Sequence, residues 1–284
     1  MGKILIIPDV HSRNFYKEAV SKIDEYEKVV FLGDYLDGYE YEGISNDEGY
    51  ANLCEIIELK KKNPLKVILL LGNHDCHYIK NSAGGSRFDW LNHKRNHKTF
   101  LDNLEQFDMA WETDIAGKRY YFSHAGIREG WLRNYKFLFN WVDGNRTLPS
   151  YIFFNNFLHS EVESQQDAFF KALGAVSHHR GGWGSSGSMV WADVHEYFTP
   201  RGDISNEFDN VYFIFGHTQQ ESEPIVTDYF ACLDVRRPFI LDDETGKIFE
   251  MTGEEVKKAE LKIKSDEEME EEHKRLERAM AFFF

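Results

Sequence analysis

The sequence predicts an α/β fold, and three observations carry that expectation. Five apolar runs, Ile4 to Ile7, Val29 to Leu32, Val67 to Leu71, Tyr120 to Phe122 and Val211 to Phe215, are bounded by Gly or polar residues, as buried strands are. Helical stretches separate the first three runs, and a βαβαβ opening implies a parallel sheet with helices on its faces. Each run leads into a short polar motif: Asp9-Val10-His11, Gly33-Asp34-Tyr35-Leu36-Asp37, Gly72-Asn73-His74-Asp75, Ser123-His124-Ala125-Gly126 and Gly216-His217-Thr218. In an open α/β sheet the strand carboxyl ends share one edge, so these motifs are expected to form one site.

The helices of the opening are expected near Asn14 to Glu25 and Asp47 to Lys62. Asn63-Pro64 ends the second, because proline disfavours a helical residue before it. A polar segment follows from Cys76 to Gly117, with a helix near Thr99 to Gln106 and a loop, Ser82-Ala83-Gly84-Gly85-Ser86, placed to roof the site. The connection from Ile127 to Asn210 reads as an aromatic, loop-rich insert (127–210) that includes His178-His179-Arg180-Gly181-Gly182-Trp183-Gly184. Substrate contacts are expected there, since binding residues concentrate on loops between scaffold strands.

Runs at Tyr229 to Leu233, Phe239 to Leu241 and Lys247 to Met251 read as a meander of antiparallel strands, with Asp243-Glu244-Thr245-Gly246 as a hairpin turn. One domain is therefore expected over 1–252, and an acidic helical tail over 253–284. Ser265 and Glu268 make a capping box for the tail helix. Met269, His273, Leu276 and Met280 form a narrow stripe that, with Phe282-Phe283-Phe284, suits docking on the core or on a second copy of the chain.

Composition bounds the partners. With 284 residues, 42% hydrophobic and 15% aromatic, the chain supplies a sizeable core. A net charge of −15 argues against generic affinity for a nucleic-acid backbone. Cys54, Cys76 and Cys232 are odd in number and lack CxxC spacing, which suits a reduced compartment. No run approaches the ~18 apolar residues of a membrane span, and Asp9 follows the first apolar run too closely for a signal peptide. A cytoplasmic location is expected.

Asp, Asn and His are oxygen and nitrogen ligands, a set that suits first-row divalent metals and lacks the thiolates of a structural zinc site. Asp34 can bridge two ions, with Asp9 and His11 on one side and Asn73, His124 and His217 on the other. Taken singly, Asp9 reads as a turn residue, Asp34 as a helix cap, and the histidines as satisfied side chains at strand ends. Their joint arrival at five strand ends points to a two-metal hydrolase.

In that order the motifs resemble the signature of the calcineurin-like metallophosphoesterases, from about Asp9 to Thr218. The resemblance implies two mixed β-sheets in a sandwich flanked by helices, and two divalent ions (Mn, Fe or Zn) that activate a water as nucleophile. It implies that His74 protonates the leaving group and that Asp37 orients His74. The Ser/Thr phosphatase branch follows the second Asp with an arginine that grips phosphate, whereas Gly38 stands here. Arg201, Arg180, Arg128 and Arg87 are the candidates to replace it, Arg201 because the branch carries a phosphate-contacting arginine in that region. Gln219 stands where the nuclease branches carry a second His, which places the chain nearer the Ser/Thr phosphatase and diadenosine tetraphosphatase side. A phosphate monoester of a protein or small molecule is the expected substrate, with a nucleotide anhydride as the alternative and a non-catalytic scaffold as a third reading. Trp131, Trp183 and Trp191 suit either substrate stacking or packing, and adjacent His178 and His179 suit a loop role over metal binding.

Overall fold

The computed structural model describes residues 2–80 and 87–281, with side chains as far as residue 275. Among these residues the strands are β1 (Lys3–Ile7), β2 (Lys28–Phe31), β3 (Val67–Leu70), β4 (Phe107–Asp108), β5 (Ala110–Ile115), β6 (Lys118–Ser123), β7 (Val211–Phe215), β8 (Ile225–Val226), β9 (Phe230–Cys232), β10 (Phe239–Asp242) and β11 (Ile248–Glu250). The helices are α1 (Lys17–Val20), α2 (Asn46–Lys62), α3 (Asn73–Lys80), α4 (His93–Asp102), α5 (Glu129–Asn134), α6 (Lys136–Phe139), α7 (Tyr151–Leu158), α8 (Glu163–Leu173) and α9 (Asp266–Ala281). One sheet has the order β11-β10-β1-β2-β3-β4 and the other β5-β6-β7-β9-β8. Both are mixed: β1, β2, β3 and β4 run parallel, as do β6, β7 and β9, while β10, β11, β5 and β8 pair antiparallel.

Alternation along the strands shows why two sheets stack. Ile4 and Ile6 of β1, Val30 of β2, Ile68 and Leu70 of β3, Phe122 of β6, and Tyr212 and Ile214 of β7 pool in one apolar layer drawn from both sheets. Their neighbours Leu5, Ile7, Val29, Phe31, Val67, Leu69, Phe213 and Phe215 turn to the opposite faces and meet the helices. Successive strand residues point to opposite faces, so a strand apolar at every position must be covered on both.

The three C-terminal runs do not form the expected meander. Two strands, β8 and β9, join the second sheet, with β9 parallel to β7, whereas β10 and β11 form a hairpin on the edge of the first. Burial explains the split: Phe230, Ala231 and Cys232 are all buried, which suits an interior strand, while β10 alternates between buried and half-buried residues. The turn itself falls where expected, with Gly246 N donating to Asp242 O at 2.9 Å.

The insert differs too. It is helical from α5 to α8, because Trp131, Leu132, Phe139, Phe154, Leu158, Phe169 and Phe170 lie at helical spacings and bury one another. Helix α1 is only four residues long, with Ala19 its one buried residue, so little apolar surface extends it to the expected limits. The expected roofing loop Ser82–Ser86 lies outside the described residues, as do Phe282–Phe284 and the side chains of Leu276 and Met280. The capping box forms as expected: Ser265 N donates to Glu268 Oε2 at 2.7 Å and Glu268 N to Ser265 Oγ at 3.2 Å.

Residues 254–264 run extended rather than helical. Val256 N donates to Ile248 O at 2.8 Å, Ala259 N to Val226 O at 2.7 Å and Lys264 N to Arg201 O at 2.8 Å. This strap therefore touches both sheets and the insert.

Candidate active site

The loops that leave β1, β2, β3, β6 and β7 converge at one end of the sandwich. The β1 and β2 loops keep pairing beyond their strands, with His11 N donating to Asp34 O at 2.6 Å and Ser12 N to Tyr35 O at 2.9 Å. Four candidate residues, His11, Asp34, Asp37 and His217, hold positive φ of 42°, 53°, 59° and 61°. Such left-handed backbone costs about 1–3 kcal/mol per non-glycine residue and persists only where surrounding bonds impose it. Asp75 supplies some of those bonds: its carboxylate accepts the N–H groups of Gly72 at 2.8 Å, Asp34 at 2.7 Å and Tyr35 at 3.0 Å. Two motif glycines are required by contact, since a Cβ at Gly72 would lie 2.1 Å from Asp34 Oδ1 and one at Gly216 2.0 Å from Asp9 Oδ1.

Asp34 stands at the centre. Its Oδ2 lies 3.5 Å from His11 Nε2 and 3.5 Å from His124 Nε2. His124 Nε2 is in turn 3.1 Å from Asn73 Oδ1 and 3.1 Å from His217 Nδ1. Leu36 O accepts from His11 Nδ1 at 3.1 Å and Leu32 O from His124 Nδ1 at 2.8 Å, so both rings are assigned the tautomer that turns an Nε2 lone pair into the cluster. Two triads result, His11-Asp34-His74 and Asp34-His124-His217, each with ligand atoms within 4.8 Å of one another.

The donor set fits divalent cations. His124 Nε2 and His217 Nδ1 face each other, and His217 Nε2 is buried with no hydrogen-bond partner among the described residues. Burial holds His11 down at about 3 and His217 well below the ordinary histidine value, so both imidazoles are neutral, the form that coordinates metal. Burial alone would raise the Asp34 pKa, but His124, His74 and His11 together bring it to about 2. Asp9 belongs to neither triad: both its oxygens accept the His217 N–H, each at 3.0 Å.

Beside the cluster, His74 Nδ1 meets Asp37 Oδ2 at 2.7 Å, and Tyr78 donates to Asp37 Oδ1 at 2.5 Å. The pair leaves His74 Nε2 facing outward. Burial acts to lower the His74 pKa, but the Asp34 charge and the Asp37 hydrogen bond outweigh it and raise it.

The four arginines part company. Arg128 is buried and pairs with Glu207 at 2.7 Å, its guanidinium stacked 4.4 Å from the Tyr197 ring centroid, so it is a packing residue. Arg201 pairs with Asp266 at the start of α9, because the strap returns to its turn. Neither joins the cluster. Arg180 reaches it from outside, donating to His217 O at 2.9 Å and Thr218 Oγ1 at 3.1 Å and pairing with Asp193 at 2.7 Å. Arg87 alone among the four approaches the His74 imidazole, with Nη2 3.5 Å from His74 Nε2.

Gln219 accepts a hydrogen bond from Tyr39 OH at 3.0 Å, and the Tyr39 ring meets His11 edge-on at 5.4 Å. Trp131 is core, with Nε1 donating to Ala172 O at 2.9 Å, whereas the Trp191 ring stands 5.5 Å from that of His217 and Trp183 is fully exposed. His178 and His179 stay on the exposed loop, as expected. Tyr39, Tyr78 and Asp193 were not singled out from the sequence; Tyr39 had a signal in its place immediately after Gly38. A further buried carboxylate, Asp234, has Oδ1 without a partner beyond the end of β9.

The family model for calcineurin-like phosphoesterases matches residues 2–221. Among solved structures, the cold-active protein-tyrosine phosphatase of the psychrophile Shewanella is 14% identical, with a TM-score of 0.52 over 90% of this chain and 81% of that one. A mutant of a cold-active protein tyrosine phosphatase is 15% identical, with a TM-score of 0.51 over the same shares, 90% and 81%. A protein serine/threonine phosphatase from Saccharomyces cerevisiae is 14% identical, with a TM-score of 0.48 over 88% of this chain and 80% of that one. No curated protein matches the chain.

Proposed function

The chain belongs to the calcineurin-like phosphoesterase family, and from that premise we propose that it is a dinuclear-metal phosphomonoesterase acting on a phosphorylated protein or small molecule. The observation that carries this reading is Asp34, one carboxylate set between two histidine triads, with the His74–Asp37 pair alongside. Asp9, His11, Asp34, Asn73, His124 and His217 would hold two ions of manganese, iron or zinc. Ions of this kind polarise a phosphoryl group and make water acidic enough to attack at neutral pH.

The chain's own groups supply the rest. Asp37 holds the proton on His74 Nδ1 and orients the ring, so that Nε2 can deliver a proton to the departing oxygen. Leu36 O and Leu32 O keep His11 and His124 in register, and Asp75 fixes the turns that carry Asp34 and Asn73. The Shewanella protein of similar fold is a protein-tyrosine phosphatase, which makes an aryl phosphate the first ester to try.

A second reading, hydrolysis of a nucleotide anhydride, has one observation in its favour. A cavity of about 900 Å³ opens on the His217 side, lined by Trp191, Trp183, Tyr135 and Arg180, where a base can stack. The test is turnover of an aryl phosphomonoester, its diester and a dinucleoside tetraphosphate, with and without metal. Monoester turnover that needs metal and falls about 100-fold or more in His74→Asn is expected. Turnover of the tetraphosphate alone would promote the second reading. No turnover of any substrate, in protein that holds two ions, would make the chain a non-catalytic scaffold.

A further inference from the structure

We infer that Arg87, stacked on Tyr39, grips the phosphate that the site holds. The inference rests on the phosphoesterase reading and deepens it by naming the residue that recognises the anion. A side chain at position 38 would press on the β1 loop, since a Cβ on Gly38 lies 3.2 Å from His11 O and 3.3 Å from Ser12 Cβ. With glycine at position 38, a cation at this edge is supplied by another element.

Of the arginines in loops around the cluster, Arg128 is tied to Glu207, Arg201 to Asp266, and Arg180 ion-pairs with Asp193 while its Nη2 donates to His217 and Thr218. Arg13 is buried and forks onto Glu42 through Nε at 3.0 and 2.9 Å. Arg87 is exposed, and among the described residues a carbonyl and a ring anchor it in place without neutralising it. Nε donates to Asp37 O at 3.1 Å, and the guanidinium carbon lies 3.9 Å from the Tyr39 ring centroid. Arginine fixed at one edge and stacked on a ring presents the rest of its planar fork to a ligand.

What the fork faces is the telling point. Nη2 stands 3.5 Å from His74 Nε2, the ring nitrogen that the Asp37 bond leaves over, and among the described residues no carboxylate or carbonyl accepts from Nη2. An anionic phosphate oxygen between them would accept from both, and a guanidinium matches phosphate with two parallel N–H donors. Tyr39 is itself braced: its hydroxyl donates to Gln219, its ring is flanked by Arg13 at 5.1 Å and Arg236 at 5.2 Å, and Glu42 holds both of those guanidinium groups. The platform is thus built from the β1, β2 and β7 loops that carry the cluster.

The test is calorimetric binding of inorganic phosphate to the metal-loaded protein, with bound metal counted in each variant. Arg87→Ala is expected to weaken phosphate binding about 10- to 100-fold with the metal content unchanged, the loss of a hydrogen bond to a charged group. Arg87→Lys keeps the charge without the fork and is expected to recover part of the affinity. Arg180→Ala is expected to change phosphate affinity less than Arg87→Ala. Phosphate affinity within twofold of wild type in Arg87→Ala would overturn the inference, and so would a loss that tracks lost metal in both Arg87 variants. Wild-type protein that binds phosphate through Arg87 yet hydrolyses no monoester would refute the phosphomonoesterase reading and leave the assignment of Arg87 intact.

Discussion

In the proposed reaction Asp37 acts through His74, whose Nδ1 it meets at 2.7 Å. Against burial, the Asp34 charge and the Asp37 hydrogen bond raise the imidazole pKa, so in the proposed reaction His74 stays protonated, and competent as an acid, until the pH rises through that value. In Asp37→Asn the charge is gone, and the alkaline limb of the pH–rate profile is expected to move to lower pH, with kcat down about 10- to 100-fold at neutral pH. An alkaline limb that stays where it was, in a variant that binds metal normally, would count against His74 as the acid. The candidate ligand side chains were legible in the sequence because each sits at a fixed short distance from an apolar run. The arginines were not, because their fate depends on partners remote in the chain: Glu207 for Arg128 and Asp266 for Arg201. Asp9 shows the limit in another way, since its residue type announced a ligand while its backbone partner at His217 appears only in three dimensions.

At the scale of elements, the turns after the strands matter more than the strands. Gly72 closes β3 against the β2 loop with no space for a side chain, so Gly72→Ala pushes Asp34 off its position. Overpacking of this kind costs about 1–3 kcal/mol, and the variant is expected to lose that much stability in denaturant titration along with metal affinity. Unchanged metal binding would show that the turn tolerates the shift. Helix α2 gives a second check, since Ser45 and Glu48 form a full capping box: Ser45→Ala is expected to cost about 1 kcal/mol by the same titration and to leave activity unaltered. Strands with unbroken apolar runs were readable, and so was α2, which has both a cap and a stop. Strand β5, Ala-Trp-Glu-Thr-Asp-Ile, has too little apolar periodicity to announce itself. The insert helices hid behind an aromatic composition that suits strand, loop and helix alike.

Across the whole molecule, a strand buried on both faces carries no alternation to say which sheet it joins. That is why the parallel opening was legible while the division of the C-terminal strands between two sheets was not. The strap at 254–264 joins β11, β8 and the Arg201 turn, with Val256 packed on the layer between the sheets. Truncation after Thr252 is therefore expected to lower the melting temperature clearly. Truncation after Ser265 removes α9 and the two exposed ion pairs that tie it to Arg201 and Lys264, each contributing about 0.5 kcal/mol or less, and is expected to shift it by only a few degrees. Equal losses from both truncations would mean that α9 docks on the core after all. The strand ends of the two sheets are proposed to build one two-ion centre around Asp34. The most direct measurement is the number of divalent ions per chain, by elemental analysis of wild type and Asp34→Asn after metal loading and desalting. Two ions in wild type, with both sites weakened by the single substitution, is the predicted result. A wild type that holds no ion, or an Asp34→Asn variant that still holds two, would contradict it.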